Sequence, residues 1–304
     1  MTSEVIEART GFLRRLFAGK TGPVLVVVGV LIVIWYAGAV AMNAPRQRDL
    51  FKSQNITWST ADMIRATLAQ KRPVLPAPHQ VLVEMNKTIL QKPVSSKRSL
   101  VFHAYVTLSS TLLGFVFGVV FGVLLAIGIV HVRSLDRSLM PWIIASQTIP
   151  ILAIAPMVVV VLGAVGLKGL VPKAIISAYL CFFPVAIGMV KGLRSPDPMQ
   201  MDLMRTYNAG GWQTLWKLRW PASVPFLFTS LKVAIAASLV GAIVGELPTG
   251  AQGGLGARLL AGSYYGQTVQ IWSALVTAAI LAASAVAVVG LAERFTLARM
   301  GQRL

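Results

Sequence analysis

The side chains able to do acid–base, nucleophilic or metal chemistry are few and scattered. The three histidines, His79, His103 and His131, fall in loops or at the ends of apolar runs. Of the ten acidic residues, Glu246 stands out at the edge of an apolar run, and the single cysteine, Cys181, lies beside Phe182 and Phe183. No nucleophile, base and orienting group share a readable spacing, so no catalytic constellation is expected. One cysteine excludes an intrachain disulfide and a zinc cluster, and Cys181 reads as a small packed residue. Gly19-Lys20-Thr21 looks like the end of a phosphate-binding loop, but that motif needs a glycine five residues before Gly19, where Arg14 stands. Gly253-Gly254-Leu255-Gly256 lies between two apolar runs and is no dinucleotide fingerprint. The chain is expected to be no enzyme and to hold no metal or other cofactor.

Transport chemistry asks for other features. Lys232 and Glu246 lie on or at the end of one apolar run, and ionisable groups at membrane depth often mark a pathway. Two readings stay open for each. Lys232 either snorkels to the interface or serves a pore or interface; Glu246 either pairs locally at the outer boundary or serves the pathway. Ile149-Pro150, Ala155-Pro156 and Phe183-Pro184 fall within two consecutive apolar runs. Proline removes a backbone donor and kinks a helix, and the freed carbonyls need partners in protein or in a water-lined cavity. A translocation pathway involving Pro150, Pro156, Pro184, Lys232 and Glu246 is the expectation. Gly114, Gly118 and Gly122 form a small-xxx-small series suited to close helix contact.

The elements that must carry these residues are membrane helices. Hydrophobic residues make up 56% of the 304 and charged residues 12%, with mean hydropathy +0.71, whereas soluble domains carry roughly 25% charged residues. A span needs about 20 apolar residues. Six segments qualify, at about 23–42, 105–130, 140–163, 170–193, 223–246 and 271–292. They are continuously apolar rather than alternating, which excludes a β-barrel. The predicted fold is all-α and polytopic: a segment 1–22, a first span 23–42, a loop 43–104 with an interfacial helix, a five-helix core 105–292 interrupted by a polar loop 194–222, and a terminus 293–304.

The net charge of +18 is read as loop charge that sets orientation and meets lipid headgroups, not as a nucleic-acid surface. Arg9, Arg14, Arg15 and Lys20 precede the first span and put the N-terminus in the cytoplasm, with no cleavable signal. Arg133, Arg137, Lys191, Arg194, Arg205, Lys217, Arg219, Arg294, Arg299 and Arg303 then also fall inside. In the long first outside loop, Ser59 or Thr60 is expected to cap a short helix through Ala69, Val74 to Pro78 to run extended, and His79–Leu90 to form a helix.

The polar segment Asp202–Pro221 is too long and too patterned for a plain connector. Trp212, Trp216 and Trp220 recur every fourth residue, hence near one helix face. Gly210-Gly211 is expected to separate a short helix at about 202–208 from a second ending at Leu218.

Here the chain resembles the inner-membrane permeases of binding-protein-dependent ABC importers. Asp202 matches the acidic residue of that family's cytoplasmic loop and Pro221 its closing proline; Leu203 and Met204 stand at two alanine positions and Asn208 at a glycine position. Asn tolerates the left-handed backbone such a glycine often serves. Gly192 to Pro198, Leu75-Pro76-Ala77-Pro78, Ile149-Pro150 with Ala155-Pro156, Phe183-Pro184, Leu231-Lys232-Val233-Ala234, and Glu246 followed by Gly254-Leu255-Gly256 resemble, in order, the nitrate, sulfonate and taurine branch. That branch also holds pyrimidine-precursor and riboflavin permeases. The resemblance implies a type I importer fold in a bacterial inner membrane, a homodimer of permeases, two ATPase subunits that bind the ATP, and an extracytoplasmic solute-binding protein. It implies an ATPase-coupling segment containing Asp202, Leu203, Met204, Tyr207, Asn208, Ala209, Gly210, Trp212, Trp216 and Pro221. The stretch 43–73 resembles an insertion relative to shorter members. The rival reading is an ion-coupled secondary transporter working without an ATPase, or a scaffold that moves nothing.

Overall fold

The computed structural model describes residues 21–249 and 253–301. The segment 1–20, with Arg9, Arg14, Arg15 and Lys20, and Arg303 lie outside the described residues. In chain order the helices are α1 Thr21–Ser53, α2 Thr60–Leu68, α3 Pro78–Ile89, α4 Leu100–His131, α5 Arg133–Ser146, α6 Ile151–Ala164, α7 Leu170–Leu193, α8 Pro198–Thr206, α9 Gly211–Thr214, a π turn Leu215–Arg219, α10 Trp220–Thr249, α11 Leu255–Tyr264 and α12 Thr268–Arg299. Five of them are long and apolar enough to cross a membrane, and α5 with α6 makes a sixth candidate. The chain divides into two units, residues 1–87 with 262–273, and 88–261 with 274–304.

In the first unit, α1 outruns the expected span 23–42 by a further three turns through Pro45. The reason is tertiary: the buried amide of Asn43 donates to Leu75 O at 2.8 Å and accepts from Val74 N–H at 2.6 Å. Trp35 Nε1 donates to Pro76 O at 3.0 Å, and Thr268 Oγ1 to Pro73 O at 2.5 Å. The proline-rich stretch 73–78 cannot pair its own backbone, and these side chains satisfy its carbonyls. Helix α2 starts where Ser59 and Asp62 form a reciprocal capping box. Hydrogen bonds from Ser59 hold the Asp62 carboxyl below the usual carboxylate range.

The second unit is organised on α4, α7 and α10. The glycine series does what its spacing predicts: a Cβ on Gly114 would lie 2.6 Å from Ala174 O, and one on Gly118 2.7 Å from Cys181 Cβ. At that approach hydroxyls bond across the helices, Ser177 Oγ to Ser238 O at 2.7 Å and Ser238 Oγ to Thr111 O at 2.9 Å. Ala126, Ile129, Phe182, Val185, Met189 and Leu215 fill the core beside this seam.

The third expected span is not one helix. α5 and α6 meet at a 99° elbow, with Pro150 as the N-cap of α6 at φ −61°, ψ 120°. Proline biases the residue before it away from the helical region and breaks the hydrogen-bond ladder. The Tyr179 hydroxyl of α7 donates to Ser146 O on the α5 side of the elbow. Pro156 and Pro184, by contrast, stay inside α6 and α7.

Candidate functional site

The polar segment between α7 and α10 is built by local signals. Arg194, the C-cap of α7, pairs with Asp136 of α5 at 2.9 Å. Asp197 then caps α8, accepting from Met199 N–H at 2.8 Å, while Pro198 takes the first position, where a missing N–H costs nothing. The short helix therefore begins at Pro198 rather than 202. Asp202 lies within it, paired with Arg205 at 2.9 Å, both exposed. None of its residues is buried; Leu203 is 55% and Tyr207 77% exposed, with Met204 half-buried. Asn208 turns the chain at φ +50°, the left-handed conformation that Asn accepts among side-chain-bearing residues. Ala209 follows, and Gly210 is the N-cap of α9.

The second helix does not stop at Leu218. α9, the π turn and α10 run on as one candidate span, Gly211–Pro248. Trp212, Trp216 and Trp220 touch in sequence along one face, edge-on and then tilted, with centroids 5.7 and 5.3 Å apart. On the opposite side Leu215 is fully buried in the core. The π turn ends two residues before Pro221, which brings no N–H and whose ring must clear the Lys217 carbonyl. A widened turn makes that room.

Just beyond, α7 and α10 enclose a groove of about 470 Å³. Its walls are Phe183, Pro184, Ile187, Gly188, Pro225, Phe226 and Val233, with Thr229 and Ser230 among them and Lys191 at one end. Gly188 is what admits Ser230: a Cβ there would lie 2.6 Å from Ser230 Cβ. Of the expected pathway residues, Pro184 lines this groove.

Lys232 and Glu246 are engaged elsewhere. Lys232 forms an ion pair with Glu293 of α12. Glu246 is fully buried near the opposite end of α10. It accepts from Thr107 Oγ1 at 2.8 Å and from Gly256 N–H at 2.8 Å. Thr107 Oγ1 in turn accepts from Leu255 N–H at 2.8 Å, and Lys173 Nζ donates to Gly253 O at 3.2 Å. His103 Nδ1 accepts from Gly254 N–H at 3.0 Å and its Nε2 lies 2.9 Å from Lys97 O. A backbone N–H only donates and a carbonyl only accepts, so this histidine is the neutral Nε2–H tautomer. Gly253 and Gly254, at φ +93° and +120°, permit the backbone to wrap the carboxylate this closely.

Several of these residues escaped the sequence reading. Glu293 was placed beyond the last span, but α12 continues to Arg299. Lys173, inside the expected span 170–193, is buried in the first turn of α7. The acidic residue followed by a glycine-rich turn was visible; Thr107 and His103 as its partners were not, because they lie 139 and 151 residues from the groups they bind.

Membrane-length helices with an exposed, capped helix between two of them are the architecture of an integral membrane component. Residues 118–301 match the family described as binding-protein-dependent transport system inner membrane component, and the chain belongs to that family. It is 33% identical over 192 residues (63% of this chain, 70% of the relative) to the riboflavin transport system permease protein RibX of Chloroflexus aurantiacus. It is 29% identical over 184 residues (60% and 68%) to the formylaminopyrimidine transport permease protein ThiX of Halalkalibacterium halodurans. With the putative aliphatic sulfonates transport permease protein SsuC of Bacillus subtilis it shares 24% over 221 residues (73% and 76%). The chain is a permease subunit of an ABC importer, a transport protein of the inner membrane and not an enzyme; it works with an ATPase and a solute-binding protein.

Proposed function

We propose that the segment 194–222 is the contact for the ATPase, that it and the N-terminus lie in the cytoplasm, and that two copies of this chain pair with two ATPase subunits. One observation carries this reading. α8 and its C-cap expose Leu203 and Tyr207, covered by nothing among the described residues, yet the helix is capped at Asp197 and turned sharply at Asn208. A rigid, polar-flanked helix presenting apolar side chains suits insertion into a groove of another protein. Asp202 and Arg205 solubilise its flank, and the tryptophan face of α9 rests at the headgroups, where tryptophan is enriched. The solute-binding protein delivers from the side opposite α8. Pro150, Pro156 and Pro184 shape the helices that alternate, and Lys232 and Glu246 fasten α10 at two depths.

The test is a Leu203→Asp, Tyr207→Asp double variant beside the wild type, captured from native membranes in mild detergent. We expect a stoichiometric ATPase with the wild-type chain and loss of that partner with the variant, while the melting temperature is unchanged. An ATPase bound equally to both would remove α8 as the contact. A chain that carries no ATPase, yet transports, would return the ion-coupled reading.

A further inference from the structure

We propose that the groove between α7 and α10 is a solute site on the translocation pathway, and that it takes a planar aromatic heterocycle bearing ring N–H or amino donors rather than a small sulfonate or nitrate. The proposal deepens the permease reading and rests on it for the groove's place in the pathway.

The groove's chemistry makes the choice. Its volume of about 470 Å³ lies within the range of roughly 300–1,000 Å³ typical of small-molecule sites. Phe183 and Phe226 with Pro184 and Pro225 give it apolar walls, which favour an aromatic solute by area burial. The polar atoms inside are two hydroxyls, and both protons are already committed. Thr229 Oγ1 donates to Pro225 O at 2.9 Å and Ser230 Oγ donates to Leu227 O at 2.8 Å. What each hydroxyl offers the groove is therefore a lone pair. A solute with N–H groups finds acceptors there. Between the hydroxyls, away from Lys191, an anion such as a sulfonate, an acceptor at every oxygen, meets only lone pairs and would shed its hydration without replacement. The one cation, Lys191, sits at the end of the groove with Nζ 6.0 Å from the Phe226 ring centroid. It can meet a carbonyl or acidic group at one edge of the solute without holding an anion in the middle.

The experiment uses the full chain in lipid nanodiscs. Cys181 is fully buried, so Val233→Cys, at a position 58% exposed on the groove wall, introduces a single reactive thiol. N-ethylmaleimide labelling is timed alone, with riboflavin, with cytosine and with ethanesulfonate. Riboflavin or cytosine near four times its dissociation constant is expected to slow labelling roughly fivefold, as the corresponding occupancy requires; ethanesulfonate, which has no N–H donor, is expected to leave the rate unchanged. Adding Thr229→Val, which keeps the shape and removes the acceptor, is expected to raise the heterocycle concentration needed by roughly fivefold. Protection by ethanesulfonate as strong as by riboflavin, or no protection by either heterocycle, overturns the proposal. So does protection indifferent to Thr229→Val. A thiol that is unreactive without solute, or that forms a disulfide between two copies, shows lipid or a second copy in the groove and overturns it too. Thr229→Cys serves as a second reporter if the first fails to fold. ATPase recruitment measured on the same nanodiscs separates the readings: lost recruitment with intact protection sinks the coupling assignment and leaves the groove standing.

Discussion

Replacing Glu246 with alanine should be among the most damaging single changes in the second unit. The carboxylate is fully buried and receives Thr107 Oγ1 and Gly256 N–H, each at 2.8 Å, while the buried Lys173 holds the same turn by donating to Gly253 O at 3.2 Å. Truncation strips a buried N–H and a buried hydroxyl of their acceptor and removes the negative charge nearest the buried ammonium. Each buried donor left unsatisfied costs about 1–3 kcal/mol, so the two cost about 2–6 kcal/mol. For a domain of this size each kcal/mol lowers the melting temperature by about 2–4 °C, so the expected loss is roughly 4–24 °C. The assay is built into the chain: a thiol-reactive dye reports unfolding through the buried Cys181. Glu246→Gln keeps an oxygen for Gly256 N–H and loses the charge, so its loss should be about half. Glu246→Gln with Lys173→Met removes both charges and should return to within a few degrees of wild type. A Glu246→Ala protein that melts with the wild type, or a double variant no better than Glu246→Gln alone, would refute the reasoning.

Three other outcomes follow from the same geometry. Gly114→Ala must push apart backbones only 2.6 Å from the new methyl, whereas Gly163→Ala meets nothing within 4 Å; the first should cost about 1–3 kcal/mol and the second gain up to about 1 kcal/mol, read by the same dye. Asn208→Gly should recruit the ATPase as the wild type does, while Asn208→Val, forced into the left-handed region at φ +50°, should lose about 1–2 kcal/mol of local stability and recruit poorly; equal recruitment would detach the turn from the contact. A cycle of Lys232→Met and Glu293→Gln should show coupling of about 1–2 kcal/mol, between exposed and buried pairs, since the side chains are 37% and 11% exposed; additive losses would sink the pair.

How much of this was legible follows the range of each interaction. The apolar character of the spans, the Ser59 cap, the break before α9 and the tryptophan face all rest on contacts within a few residues, and the sequence carries them openly. The length of α1 was hidden because Asn43 is satisfied by residues 31 and 32 positions away. The start of α8 at Pro198 is encoded locally, in the Asp197 cap, the proline after it and Gln200 at the third helical position. Continuity of α9 with α10 was masked by polar composition: Lys217 and Arg219 look like a loop until the buried Leu215 shows that this stretch packs on the core. The elbow at Pro150 was half legible. Proline marks a break, but whether the helix bends or turns by 99° depends on a contact such as Tyr179 with Ser146, which no local pattern encodes.

The continuity of α9 with α10 has a mechanical consequence. If Glu246 and its partners hold one end of this helix fixed, displacement at the α9 end is a tilt about that point. Trp212 lies 34 residues from Glu246 and Thr229 lies 17, counted from their numbers, or about 51 and 26 Å at 1.5 Å per residue. A stiff helix would therefore move the groove wall about half as far as the ATPase end, and in the same direction. The π turn and Pro225 lie between the two points and are where stiffness would fail, since bends concentrate at such features. Spin labels on Trp212→Cys and Thr229→Cys, each measured against a reference on α7 with and without ATP in the assembled importer, give the ratio directly. A ratio near two says the helix acts as a lever with the buried carboxylate as its fulcrum. Movement at Trp212 with none at Thr229 says the π turn absorbs the stroke, and the groove would then have to open through the α5–α6 elbow instead.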